Sequence, residues 1–340
     1  MNRTAIGVLI LAPFFTWVGA SIAVDASRQQ PDVRDHYRRP AQIPTPDDNP
    51  PSPAKVNLGR TLFFDPILSG SGVRSCATCH NPGLSWGDGL ARARGEGPAP
   101  LALRSPTLLA IAWIDRLGWD GKFPDLESVS FAPLLSPNNM HMTEPELIAR
   151  LSAIPGYVKA FGEAFGDGKI TRRNIELALA AFERTIVPGP SPFERWINGD
   201  DKAIDPAAQR GFALFNGKAQ CSACHKGFAF TDGSFHDIGT AKGNDIGRGR
   251  LFPKSTQLRY AFKTPTLWDV ARRAPYMHDG SVPTLNAVIE LYDRGGIDRP
   301  SRSPHIRPLH LTAGEKADLI AFLHTLTTEP ERFVYPALPR

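Results

Sequence analysis

The chain has 340 residues, 41% of them apolar and 21% charged, enough for about two domains of roughly 100 to 200 residues and too apolar for a disordered polymer. Beyond the first two dozen residues it has no long apolar run, which excludes a polytopic membrane protein. A net charge of +5, with no Lys or Arg run interleaved with aromatics, argues against nucleic acid as a partner.

Taken in chain order, Met1-Asn2-Arg3 precedes an apolar stretch from Ala5 to Val24 that ends in the small residues Ala20-Ser21-Ile22-Ala23. Residues 1–26 therefore read as an export signal or, if uncleaved, an N-terminal anchor; in either case the body is exported, and only an uncleaved segment would touch a membrane. Residues 27–53 are proline-rich and polar, a linker that acts as a tether or a surface strap. Ser52-Pro53 and Asp205-Pro206 are helix-start signals for helices running to Phe63 and Phe215. Thr143-x-x-Glu146 and Thr312-x-x-Glu315 read as capping boxes. Ile175, Leu179, Phe182 and Ile186 form one apolar stripe that reads as core. Pro188 to Pro192 marks a hinge, and the tryptophans at 86, 113, 196 and 268 read as packing residues.

The four cysteines carry the chemistry. They fall as Cys76-Ala77-Thr78-Cys79-His80 and Cys221-Ser222-Ala223-Cys224-His225, with none left over. In CxxCH two thiols add to the vinyl groups of a haem and the histidine lies beneath the iron. A zinc site would need all four thiols to converge, and a thioredoxin-like pair does not explain a histidine after both CxxC motifs. The reading is two covalently bound c-type haems.

The motifs belong to a repeat. Gly59-x-x-Leu62-Phe63 precedes the first and Gly211-x-x-Leu214-Phe215 the second, and Asp88-Gly89 and Asp232-Gly233 follow them. Ser105-Pro106-Thr107-Leu108 answers Thr264-Pro265-Thr266-Leu267, and Trp119-Asp120-Gly121 answers His278-Asp279-Gly280, at one constant spacing. The expected fold is mainly α: two tandem cytochrome c-like haem domains from an internal duplication, spanning 54–190 and 191–340.

From Leu58 to about Pro336 the chain resembles the bacterial dihaem cytochrome c peroxidase and MauG family. The resemblance rests on Leu58-Gly59-x-x-Leu62-Phe63-x-Asp65-Pro66, both CxxCH motifs, Trp119-Asp120-Gly121, Ala274-Pro275-Tyr276-Met277-His278-Asp279-Gly280-Ser281 and Ala321-Phe322-Leu323-x-x-Leu326. It implies that one haem reacts with hydrogen peroxide and the other exchanges electrons, with Trp119 as the tryptophan between them. Candidates for the far-side ligand of the second haem are Met277, His278 and Tyr292, and the family position falls on Tyr292, as in MauG. At the repeat spacing its counterpart is Pro133, which cannot ligate iron, and residues 81–140 contain no histidine, so the first haem is expected to be open.

The chain also departs from the family. Asn139 stands at the position of the distal glutamate and Val129 at that of a nearby glutamine, leaving His141 as a possible proton-transfer group. Arg104 and Arg273 stand where the family has an asparagine and a threonine around a calcium ion, so calcium is expected to be absent or weak and the guanidiniums to face haem propionates. The implied function is MauG-like, peroxide-dependent oxidation of a protein substrate or redox protein donor in the periplasm. A cytochrome c peroxidase fed by a small redox protein and a non-enzymatic electron carrier are the alternatives.

Overall fold

Side chains that can satisfy unpaired amides decide where the helices begin. The computed structural model describes residues 32–329 and 333–339. Ser52 accepts from the Lys55 amide and opens α1 (Pro53–Phe64); the short helix α2 (Cys76–Cys79) carries the first CxxC. Asp125 caps α3 (Leu126–Val129), which runs into α4 (Phe131–Leu135). After α5 (Glu144–Ser152) and α6 (Pro155–Phe165), Thr171 caps α7 (Arg172–Glu183) and Ser191 caps α8 (Pro192–Ile197). Asp205 caps α9 (Pro206–Asn216), Thr284 caps α10 (Leu285–Arg294) and Thr312 caps α11 (Ala313–Thr325). Among the described residues the named strands are two short ones, β1 (Phe235–His236) and β2 (Phe262–Lys263), paired antiparallel with Phe235 opposite Lys263.

One capping expectation fails. Thr312 and Glu315 form the reciprocal box, but the Thr143 side chain makes no cap hydrogen bond at α5. Glu146 is instead taken by Arg150 at 2.6 Å, and that guanidinium also donates to the Ser69 and Gly70 carbonyls. An ion pair one helical turn away thus outcompetes the reciprocal bond.

Two helix pairs form the frame: α1 crosses α7, and α9 crosses α11. The glycine of each G-x-x-L-F sits at a crossing. A Cβ at Gly59 would lie 1.8 Å from the Ala178 carbonyl oxygen, and one at Gly211 would lie 2.0 Å from that of Asp318. Only glycine allows such an approach. Ile175, Leu179, Phe182 and Ile186 are all buried, as the stripe requires, and Phe63 meets Phe182 edge-on at 5.2 Å. In the other pair Phe212 and Phe215 meet Phe322 at 5.4 and 5.0 Å. Each fully buried ring of this kind contributes about 1.5–3 kcal/mol.

From residue 33 the proline-rich stretch is a strap. Tyr37 is buried against Phe193, Phe212 and Phe230, and its hydroxyl donates to Asn216 at 2.8 Å. Arg39 pairs with Glu194, and Asn49, also buried, donates to Glu127 and to the Leu177 carbonyl. The four expected packing tryptophans do pack: Trp86 on Phe63, Trp113 on Phe228, Trp196 on Phe212, and Trp268, whose indole N–H donates to the Phe228 carbonyl. No helix among the described residues is long and apolar enough to cross a membrane. The export signal expected over 1–26 lies outside the described residues.

Candidate haem-binding site

Both CxxCH motifs open onto one cavity of about 720 Å³, lined largely by apolar side chains. In each motif the chain turns back so that the histidine amide donates to the carbonyl of the first cysteine, at 2.9 Å for His80 and 2.8 Å for His225. The His80 Nδ1 lies 3.3 Å from the Trp86 carbonyl and the His225 Nδ1 lies 2.9 Å from that of Phe230. Burial holds both imidazoles below their ordinary pKa, hence neutral. A neutral imidazole that donates from Nδ1 keeps its Nε2 lone pair free, the form that ligates iron. Burial also pushes the thiols up, Cys221 to about 12 and Cys76 and Cys79 likewise upward. Such thiols are poor nucleophiles on their own, and a thioether removes their titration altogether. The residues present fit two covalently held haems.

The wall of this cavity separates the other predicted residues. Pro133, Val129 and Asn139 line it, as does Tyr292 on α10. Burial pushes the Tyr292 phenol upward, with the charges of the Cys221 and Cys224 sulfurs adding to the effect. Among the described residues its hydroxyl has no hydrogen-bond partner; only a positive charge in the cavity would favour its phenolate. Met277 lines the cavity too, at φ +72°. His278 lines the cavity as well: its Nε2 is 2.6 Å from Asp245, and its ring stacks on Phe262 at 3.6 Å. His141 is not brought to the site. It is exposed, at φ +50°, and the cavity is lined instead by its neighbours Asn139 and Met140.

Trp119 lines the cavity and is held by several contacts. Its indole N–H donates to the Arg104 carbonyl at 3.0 Å, its own carbonyl accepts from the Lys263 amide at 2.8 Å, and its ring meets His278 edge-on at 6.4 Å. The next turn is clamped by Arg248, which donates to the Asp120 carbonyl at 2.6 Å. Gly121, at φ +68°, leaves no room there: a Cβ would fall 2.1 Å from the Phe235 ring.

Three cations line the same cavity, none in an ion pair with a carboxylate among the described residues. Arg104 donates to the Arg273 carbonyl, Arg273 to the Trp268 and Thr266 carbonyls, and the Lys263 ammonium to the Arg116 carbonyl. Burial pushes Arg273 down to about 10 and Lys263 down to about 8. This donor set invites anions such as propionates and is hostile to a divalent cation. The single group of potential metal ligands among the described residues, Cys224, Asp232 and His236, uses a cysteine of the second CxxCH.

Comparison with known proteins points to a family that carries two haems. Residues 53–202 match the di-haem cytochrome c peroxidase family. The methylamine utilization protein MauG of Methylorubrum extorquens is 49% identical over 94% of this chain and 92% of its own length. The chain belongs to the dihaem cytochrome c peroxidase and MauG family. MauG of Methylophilus methylotrophus is 43% identical over 90% of this chain and 92% of its own. The crystal structure of a MauG-like protein associated with microbial copper homeostasis superposes with a TM-score of 0.80 at 31% identity, covering 86% of this chain and 94% of that one. Within the family the chain stands closer to MauG, and it is a peroxide-dependent dihaem oxidoreductase.

For this family member, sequence reasoning missed three site residues. Lys263 enters the cavity through the β1–β2 register, a pairing too short to have a sequence pattern. The His278–Asp245 pair joins residues far apart in the chain. Glu183, which lines the cavity, stands in Ala181-Phe182-Glu183-Arg184-Thr185, where the similar segment Ala321-Phe322-Leu323-His324-Thr325 has a leucine.

Proposed function

We propose that the protein carries out a MauG-like oxidation, in which hydrogen peroxide is the oxidant and a protein substrate or redox protein donor gives up the electrons. The haems, when bound, supply the reaction with peroxide and the capacity to hold its oxidising equivalents. The chain's own residues divide the work. His80 Nε2 would hold the first haem, and Pro133, which has no ligand atom, would leave room for a small oxidant. His225 Nε2 and the Tyr292 hydroxyl would hold the second haem and leave it no place for an outside ligand. A phenolate is hard and anionic and favours the oxidised metal, so this pair is suited to share oxidising power rather than to store electrons.

Trp119 would serve as the relay for electrons between the haems. Its N–H donates to a backbone carbonyl, which cannot accept a proton outright, so the indole keeps its proton at Nε1 while it carries charge. Asn139, in the cavity lining, offers an amide; it can orient peroxide by hydrogen bonding but cannot itself shuttle a proton. Slow proton exchange there favours long-lived oxidising equivalents over rapid turnover. Arg104, Arg273 and Lys263 hold the haem propionates, and calcium has no place in this site.

The repeat is part of the reading: 54–190 and 191–340 are copies of one haem-binding unit. Supporting it are the two glycine crossings and the bridges Leu117–Phe123 and Tyr276–Val282, which fall at the same spacing as the sequence repeat. Export to the periplasm by residues 1–26 completes the proposal.

The observation that carries it is the pairing of Pro133 with Tyr292, corresponding positions on one cavity wall. The test is cyanide binding to the ferric protein, followed by haem absorption and electron paramagnetic resonance. The wild type should bind cyanide quickly at one haem, and Tyr292→Phe should open a second site. A Tyr292→Phe protein with unchanged spectra and a single cyanide site would overturn the ligand assignment and favour Met277.

A further inference from the structure

The two halves differ at one buried position of the cavity wall. In α7 the segment reads Ala181-Phe182-Glu183-Arg184-Thr185 and in α11 it reads Ala321-Phe322-Leu323-His324-Thr325. Both crossings place this segment alike, since Phe182 packs over Gly59 as Phe322 packs over Gly211. Leu323 and Glu183 are both buried, and both line the cavity. A leucine is what such a position calls for; a carboxyl there is not explained by packing.

No ionic partner neutralises it. Among the described residues neither Glu183 oxygen has a hydrogen-bond partner, and Oε2 is wholly enclosed. The neighbouring guanidinium of Arg184 is committed elsewhere, donating to both oxygens of Glu127 at 2.7 and 2.8 Å. From the strap, Asn49 also bonds Glu127; from α1, Lys55 bonds Asn49 and the Pro50 carbonyl, while Arg60 faces Phe333. From α2 the Cys76 thiol, one of the two that hold the first haem, is pushed up by burial and next by the charge of Glu183. Burial pushes the Glu183 carboxyl up to about 8, Arg184 opposing and Glu127 reinforcing the shift. The group is therefore poised between protonated and ionised near neutral pH, beside one haem and not the other.

We propose that Glu183 is a redox-linked proton site of the first haem: one electron delivered to that haem by a one-electron donor is matched by one proton taken from solvent onto a Glu183 carboxylate oxygen, and oxidation releases both. Added positive charge in the pocket favours the carboxylate, and its removal favours the acid. The first haem's equilibrium with peroxide and donor is thereby tied to pH, while Leu323 leaves the second haem untied. The inference rests on a haem at Cys76–His80 and does not depend on Tyr292, so its failure would leave the ligand assignment untouched.

The test is a mediated spectroelectrochemical titration of the holoprotein, repeated across about pH 6 to 9. The first haem's midpoint should fall as pH rises, approaching a tenfold change in its reduction equilibrium per pH unit, or about 59 mV. Glu183→Gln, which keeps the shape, and Glu183→Leu, which copies the second half, should both flatten that slope by at least threefold while the second haem's slope stays put. Redox-difference infrared spectra should show a buried carboxylic C=O band that is lost in Glu183→Gln. A wild-type slope that persists in both variants, or a wild type with no slope and no such band, would overturn the proposal.

Discussion

Replacing Glu127 by leucine should be among the most destabilising single changes available in this protein. Its carboxylate, 4% exposed, accepts from both Nη atoms of Arg184 at 2.7 and 2.8 Å and from Asn49 at 2.7 Å, so it joins α3, α7 and the N-terminal strap. Burial pushes its pKa up, but the Arg184 and Asn49 hydrogen bonds outweigh burial and hold it below the usual range. Glu127→Leu strands a buried guanidinium, which costs about 3–5 kcal/mol. At roughly 2 °C per kcal/mol for a large domain, that is a fall in Tm of about 6–10 °C. Arg184→Leu should cost a similar amount, whereas the double variant should return to within about 1–2 kcal/mol of the wild type, because packed apolar residues replace a buried pair at little net cost. Because the folded pKa is lowered, this stabilisation is present above the unfolded value near ~4.3 and is lost as pH falls through the folded one. Guanidinium unfolding of the holoprotein, followed by far-UV circular dichroism, would measure all three variants. A Glu127→Leu penalty under about 1 kcal/mol, or a double variant as damaged as the two singles summed, would refute the reasoning.

Other consequences are cheaper to check. Thr312→Ala removes a cap that is made and should cost about 1 kcal/mol, whereas Thr143→Ala removes one that is not and should stay within about 0.3 kcal/mol in the same unfolding assay. His141→Ala should leave the rate of reaction with peroxide within about twofold in stopped-flow absorption, since the residue is exposed and outside the cavity lining. His236 is raised to about 10, first by its bond to Asp232 and next by the Cys224 sulfur, a contribution a thioether weakens. Its stabilisation is complete below the unfolded value near ~6.5 and is lost as pH rises toward about 10, so unfolding curves of wild type and Asp232→Asn should converge over that window.

Much of this was legible in the sequence because it rests on local chemistry. Ser52, Asp205 and Thr312 each cap the helix that follows, and the two CxxCH motifs define the cavity's contents by themselves. The family resemblance pointed to Tyr292 and the repeat spacing to Pro133, and both line that cavity. What stayed hidden depends on competition and on distance. Thr143 loses its box because Arg150 reaches Glu146 first. His141, a plausible proton carrier by position, is displaced by one residue: Met140 takes the buried place at 4% exposure, and the His141 backbone carbonyl packs against Gly70. Glu183 reads as an ordinary polar neighbour of Phe182 until it is set beside Leu323.

The central claim is that an open first haem and a closed second one share oxidising power through Trp119. It is tested most directly by adding one equivalent of hydrogen peroxide to the fully ferric protein without reductant and following both ferric signals by electron paramagnetic resonance and absorption over seconds to minutes. The account predicts prompt loss of both signals together, persisting for minutes, and loss of only the first haem's signal in Trp119→Phe. Inertness toward peroxide until one haem has been reduced would contradict it and place the protein with the peroxidase branch of the family.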